Sequence, residues 1–255
     1  MKSVSLLWLL ILSSCVSPLR VLAQSDKPVG RKDSVTVSAG ISKDQLALED
    51  QLNEIVSKGD ALLRNGDSAD AIAQYRKALE LVHQQSLLAE QEARVEKKLA
   101  VGYLRASQPT DAIPIYQKLL DSRKEDCGTA SQKPADCADA EFELGRAKMY
   151  AGDFSGAIAL LKDAERNYLR AEKLNGTFHE FSMIQVKNQG QTNVLLAVAL
   201  FRTGNAREAA TTLEEAVSQL KRVQSDEGIL IGIRDDAAHS LQEAQTILAK
   251  LKSNQ

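Results

Sequence analysis

From about residue 42 onward, apolar side chains recur at intervals of three and four, the spacing that places them on one face of an α-helix. Leu46, Leu48, Leu52, Ile55, Val56, Leu62 and Leu63 mark the buried side of a first helix. Ser42-Lys43-Asp44-Gln45 reads as its start, a hydroxyl accepting from a backbone N–H while Gln45 reaches back. At the far end, Ile229 to Leu251 keeps the period through Ile231, Ile233, Ala237, Leu241, Ala244, Ile247, Leu248 and Leu251. Arg234, Asp235, Gln242, Glu243, Lys250 and Lys252 interleave with them, as expected for a helix with one wet face. Ala, Leu, Gln, Glu, Lys and Arg dominate and strand-favouring aromatics are sparse, so the reading is all-α.

Within that helical stretch a small residue, a turn and an Ala–x₆–Ala step recur four times in one order. The clearest copy contains Gly59, the turn Asn65-Gly66-Asp67, Ala71-Ile72, Tyr75 and Ala78. Aligned on Ala71, the second contains Ala100, Tyr103, Ala112, Tyr116 and Leu119. The third contains Leu144-Gly145, Gly152-Asp153-Phe154, Ala157-Ile158 and Ala164, and the fourth Leu196-Ala197, Leu200, Gly204-Asn205, Ala209 and Ala216. The second copy departs most, with Ser107-Gln108-Pro109 at the turn and Leu119 for its second small residue.

These residues resemble the tetratricopeptide repeat, a pair of antiparallel helices of about 34 residues. The resemblance covers roughly residues 50–223. It implies a solenoid of antiparallel hairpins, because one hairpin cannot bury its apolar face alone. It also implies that Gly59, Ala71 and Ala78 sit where paired helices come closest, and that Gly66 ends the first helix in a left-handed conformation. The expected repeats are 52–85, 93–126, 138–171 and 190–223, closed by a capping helix over 229–251. From Ala71, the steps to Ala112, Ala157 and Ala209 are 41, 45 and 52 residues, so longer helices or loops separate the hairpins.

The chain opens with Met1-Lys2 and the apolar run Val4 to Leu12, the pattern of an export signal too short to span a bilayer. Two processing readings stand. Val21-Leu22-Ala23 suits cleavage before Gln24, giving a soluble exported protein. Leu12-Ser13-Ser14-Cys15 resembles a bacterial lipobox, which would leave Cys15 lipidated and the protein anchored to a membrane. Residues 24–41 read as a flexible tether.

Composition narrows the function classes. Without residues 1–23 the chain carries 30 basic and 34 acidic residues, a net charge of −4, and no basic run, which argues against nucleic acid. No phosphate loop, HExxH or nucleophile elbow occurs, and Ser218-Gln219-Leu220-Lys221 spells SxxK without companion motifs. His83, His179 and His239 are scattered over separate helices and read as surface residues. No cofactor, metal or catalytic residue is expected. Cys127 and Cys137 bracket a loop-like stretch, and export would favour a disulfide between them; free thiols in a mobile loop are the alternative. Asn175-Gly176-Thr177 is a formal glycosylation sequon, read here as a helix end followed by a Thr177 cap.

In arrays of the resembled family the first helix of each pair lines the concave face. Carrying that frame over gives an apolar line of Leu63, Leu104, Met149 and Phe201, with Tyr150 beside it. It gives a basic line of Arg64, Arg105 and Arg202, with Lys97, Phe142 and Arg146 nearby. Such a groove suits a helix or extended peptide bearing apolar and acidic residues. Equally, Arg near helix C-termini is favoured by the macrodipole alone and the apolar residues can pack between repeats. The carboxylate clamp of cytosolic co-chaperones of this family is missing, since Val56, Asp60 and Asp139 stand at its positions. The resulting expectation is an exported, non-catalytic scaffold for a bacterial envelope, with a lipid-anchored structural subunit as the alternative.

Overall fold

A computed structural model of the chain describes residues 43–84, 89–125, 127–128, 131–174 and 176–253. The expected export signal, the tether, Cys15, the Ser42 cap and Asn175 lie outside these residues. Nine helices and no strand occur among the described residues. They are α1 (Lys43–Asn65), α2 (Ser68–Gln84), α3 (Ala89–Arg105), α4 (Pro109–Asp121), α5 (Pro134–Tyr150), α6 (Phe154–Leu174), α7 (His179–Arg202), α8 (Ala206–Gln224) and α9 (Ile231–Ser253). None is long and apolar enough to cross a membrane.

The first eight pair as hairpins joined by one turn design used four times. At the first, the Gly66 N–H donates to Leu63 O (3.3 Å) and the Asp67 N–H to Leu62 O (3.0 Å). The same two bonds recur at Ser107-Gln108, Gly152-Asp153 and Gly204-Asn205. This is a Schellman arrangement, which satisfies two otherwise orphaned carbonyls. Its key residue is left-handed each time: φ is 92° at Gly66, 83° at Gly152 and 88° at Gly204. In the second hairpin Ser107 takes the same conformation at φ 58°, so the geometry survives the lost glycine and a Cβ is strained there instead.

Small residues set the distance between paired helices. A Cβ on Gly59 would lie 2.6 Å from Tyr75 Cε1, and one on Gly145 3.0 Å from Leu161 Cγ. Ala71, Ala78, Ala112, Ala157, Ala164, Ala209 and Ala216 are all fully buried. Seven residues before Ala197 the fourth hairpin repeats the device, where a Cβ on Gly190 would approach Leu220 Cγ to 2.7 Å.

Two large apolar clusters form the core and meet within α5, which gives Leu144 and Ala147 to the N-terminal one and Met149 to the C-terminal one; a third, small cluster joins Ala138 of α5 to Ala164 and Tyr168 of α6. Beyond neighbours in sequence, α1 packs on α3, α5 on α7 and α7 on α9. The first helices of successive pairs are therefore closer together than the second helices, which puts them on the inside of the curve. Between α3 and α5 no comparable packing exists. α9 covers the last hairpin with Ala237, Leu241, Ala244 and Leu251.

Three sequence expectations fail locally. Ile231 is 66% exposed, because the apolar face of α9 meets its neighbours only after the first turn. Leu46 is half exposed, on a stretch of α1 that overhangs its shorter partner. The residue capping α7 is Phe178 with no side-chain bond, so Thr177 is not a cap.

Candidate peptide-binding groove

The residues expected to line the groove all fall on α1, α3, α5 or α7, but they play different parts. Leu63, Leu104 and Phe201 are half-buried against the two core clusters, and Met149 is 8% exposed. The apolar line therefore cements adjacent repeats and leaves only edges in the groove. Tyr150 is 41% exposed.

The basic line is discontinuous. Arg64 is exposed at the end of α1. Arg105 and Arg146 are brought together; burial first, and then the like charge of Arg146, lowers the Arg105 pKa. Arg146 stacks over the Phe142 ring at 5.8 Å and pairs with Glu143 one turn back. Arg202 lies 5.5 Å over the Phe154 ring at the start of α6, turned toward the edge of the third hairpin.

At the loose α3–α5 junction the concave face opens into a cleft of about 180 Å³ lined by Lys97, Asp139, Phe142, Glu143, Tyr168, Asn188 and Gln191. Its chemistry is mixed. The Tyr168 hydroxyl donates to Asp139 Oδ1 at 2.6 Å. Desolvation of the carboxylate raises the Asp139 carboxyl, although the residue as a whole is exposed, while the Tyr168 hydrogen bond and the Lys97 charge pull the other way. Gln191 Nε2 donates to Ser240 Oγ at 3.0 Å, so this wall of the cleft is braced from α9. Phe142 supplies an apolar floor beside amides and charges of both signs.

Asp139, Glu143, Tyr168, Asn188 and Gln191 were not anticipated as groove residues. The available signal was their register. Asn188 and Gln191 are three apart on α7, and Asp139 and Glu143 four apart on α5, so each pair shares a helix face. Behind the cleft, buried polar residues of α7 are linked to its neighbours, although Gln185 Oε1 is buried there without a partner. Asn193 donates to Gln219 (3.2 Å), Gln219 to Gln189 (3.3 Å) and Gln189 to Glu172 (2.9 Å), a relay that locks α7 to α6 and α8.

Away from the groove, Asp60 accepts from the Tyr75 hydroxyl at 2.7 Å and pairs with Lys98 at 2.7 Å, tying three helices together. The histidines are surface residues: His83 faces Glu92, His179 pairs with Asp226 at 2.8 Å, and His239 Nδ1 lies 2.7 Å from Asp235 O. Cys127 and Cys137 form a disulfide, Cα–Cα 5.1 Å, that ties the loop after α4 to the first turn of α5. Glu141 lies beside it, but with both sulfurs bonded to each other a lone carboxylate falls short of a metal site.

A family model described as tetratricopeptide repeat matches residues 56–126 and 97–168. No curated protein sequence matches the chain. Among solved structures, the chain is similar to BtubC (BKLC) from P. vanneervenii, at 17% identity and TM-score 0.54, covering 82% of each chain. It is similar to a putative kinesin light chain from Podosopora anserina, with nearly identical TPR-like repeats, at 20% identity and TM-score 0.52, covering 80% of this chain and 93% of that one. The Rap conjugation gene regulator of the plasmid pLS20, solved in complex with the Phr* peptide, matches at 16% identity and TM-score 0.53, covering 88% of this chain and 60% of that one.

Proposed function

We propose that this chain, which belongs to the tetratricopeptide repeat family, is an exported, non-catalytic scaffold that holds another polypeptide along the concave face of its stacked hairpins. The fold itself is that of a protein-interaction scaffold. The observation that carries the finer reading is the inner face built from α1, α3, α5 and α7, open at one cleft that offers an aromatic floor, amides and charges. A polypeptide needs those three things: a pocket for a side chain, partners for its backbone, and charges that select its sequence. The solved Rap regulator holding a peptide is a precedent for such use of a similar fold.

Leu63, Arg64, Lys97, Leu104, Arg105, Phe142, Arg146, Met149, Tyr150, Phe201 and Arg202 are the contact residues of this reading. Arg64 and the Arg105–Arg146 pair favour acidic residues in the partner, and Phe142, Tyr150 and the edges of Leu63 and Leu104 favour apolar anchors. Export into a bacterial envelope is supported by the leader pattern before Gln24 and agrees with the Cys127–Cys137 disulfide. The lipobox-like Leu12-Ser13-Ser14-Cys15 supports a second reading, a lipid-anchored structural subunit of an envelope complex.

Arg64→Glu combined with Arg105→Glu, used as bait in envelope extracts, should lose the partners that the wild type captures while keeping its helicity. Unchanged capture removes the basic groove from the reading. Globomycin-sensitive palmitate labelling that disappears in Cys15→Ser selects the anchored form, and absence of labelling selects the soluble one.

A further inference from the structure

The first turn of α5 and the middle of α6 enclose a group of side chains that peptide binding does not use. Cys137 is fully buried and Glu141, one turn on, is 7% exposed. Both sulfurs of the disulfide and a Glu141 carboxyl oxygen lie within 4.8 Å of one another. Asn167, also buried, spans the group: its Nδ2 is 3.4 Å from Cys137 Sγ and donates to Glu141 Oε2 at 2.9 Å. Arg170 fixes that amide by donating to Asn167 Oδ1 at 2.7 Å, and its other arm reaches Gly128 O in the loop at 2.8 Å. Arg123 holds the same loop to Asp136 at 2.9 Å. The two residues differ in burial, since Cys127 retains exposed surface and Cys137 has none.

A buried carboxyl within 4.8 Å of both sulfurs of a disulfide, and oriented by a dedicated amide, has a specific use. When a disulfide is reduced, one sulfur must leave carrying the bonding electrons. A buried sulfur leaves poorly as a bare thiolate, because the charge is formed away from water. A neighbouring acid removes that cost.

We propose that the Cys127–Cys137 disulfide is a thiol–disulfide exchange site for an external dithiol, in which Glu141 delivers a proton to the Cys137 sulfur as that sulfur leaves. One thiolate of the dithiol attacks Sγ of Cys127, the cysteine that retains exposed surface, and forms a mixed disulfide. The Cys127–Cys137 bonding pair passes to Cys137 Sγ, which takes the Glu141 proton; the carboxylate is reprotonated from solvent. The dithiol's second thiol, losing its proton to water, attacks its own mixed-disulfide sulfur and expels Cys127, which is protonated from water. The protein gains two electrons and two protons, and the dithiol becomes a disulfide. Asn167 is the positioning residue. Asp163, Arg166, Arg170 and Tyr168 of α6 are the charged and titratable groups facing Glu141. Burial, chiefly, pushes the Glu141 carboxyl up to about 7, so the donor is loaded at neutral pH and empties above it. The proposal is independent of the groove, since capture of a polypeptide and reduction of this bond are read separately.

The test is the rate of reduction of the oxidised full chain by dithiothreitol between pH 5 and 9, divided by the dithiothreitol thiolate fraction. For the wild type this corrected rate should fall as pH rises through about 7. Glu141→Gln, which keeps an acceptor for Asn167, should be slower at pH 6 by about tenfold or more, below the range a positioned acid usually supplies, and flat with pH. Glu141→Asp should regain the pH dependence. Glutathione at limiting concentration should be found on Cys127 by peptide mapping of the wild type, a measurement that needs no variant. Equal corrected rates and profiles for wild type and Glu141→Gln, or glutathione on Cys137, overturn the proposal.

Discussion

Glu141→Gln also makes a prediction at equilibrium, where only burial and charge matter. Glu141 titrates near 7 in the folded chain against an ordinary value of 4.5, chiefly because burial penalises the carboxylate and Asp163 adds to the effect. Between those two pH values the folded state holds a proton that the unfolded state has lost. Stability from this group is thus greatest below pH 4.5, declines as pH rises toward 7, and is flat above. A displacement of roughly 2.5 pH units corresponds to about 3 kcal/mol at most, at 1.36 kcal/mol for each. Gln carries no charge to bury and its amide oxygen accepts from Asn167 as the carboxyl does. The variant should therefore match the wild type near pH 4.5 and exceed it by up to about 3 kcal/mol at pH 8. Urea unfolding followed by circular dichroism, with the disulfide intact, measures both proteins at several pH values. Other carboxyls with raised pKa, such as Glu165 and Glu243, titrate in both proteins and cancel in the difference. A difference between the two that stays constant from pH 4.5 to 8 refutes the reasoning.

Two further outcomes follow from backbone and packing. Ser107→Gly removes a Cβ from a left-handed position and should stabilise the second hairpin by about 0.5–1 kcal/mol after the added entropy of the unfolded chain, whereas β-branched Ser107→Val should cost about 1 kcal/mol or more; thermal melts report both. Gly190→Ala would place a Cβ 2.7 Å from the fully buried Leu220 and should cost about 1–3 kcal/mol, with hydrogen-exchange protection lost first in α7 and α8.

The helix pairs and their order could be read from the sequence because both depend on short-range regularities. Gly66, Gly152 and Gly204 announce left-handed helix ends, and Ala71, Ala112, Ala157 and Ala209 announce close approach. The failures fall where a neighbour is lacking. Leu46 and Ile231 have the right period, yet periodicity reports only which face a residue is on, and whether another helix covers that face is decided elsewhere in the chain. The second turn shows the converse. Ser107-Gln108-Pro109 has no glycine, yet the Ser107 N–H still donates to Leu104 O and the Gln108 N–H to Tyr103 O, with the serine left-handed.

The groove was less readable because a repeat frame places Cβ atoms and leaves the ends of long side chains free. Arg64, Arg105, Arg146 and Arg202 all emerge on inner helices, but Arg202 finds the Phe154 ring across the hairpin turn, a partner that no spacing within one helix announces, and Arg146 is taken up by Glu143 and Phe142, three and four residues back on its own helix, a register the sequence did carry. The cleft lies where residues of α3, α5, α6 and α7 converge, and no spacing within one helix marks such a convergence. The cleft sits between the two hairpins separated by the 45-residue step and the disulfide-tied loop, whereas the longer 52-residue step separates hairpins whose inner helices α5 and α7 pack together. The charge that a partner meets there is the sum of Lys97, Asp139 and the Glu143–Arg146 pair, close to neutral, and not the positive line that the arginines alone suggest. On the proposed reading, selectivity for acidic residues rests on Arg64 and Arg105, at the C-terminal ends of α1 and α3, while the cleft itself selects for shape and for hydrogen bonding to Asn188 and Gln191.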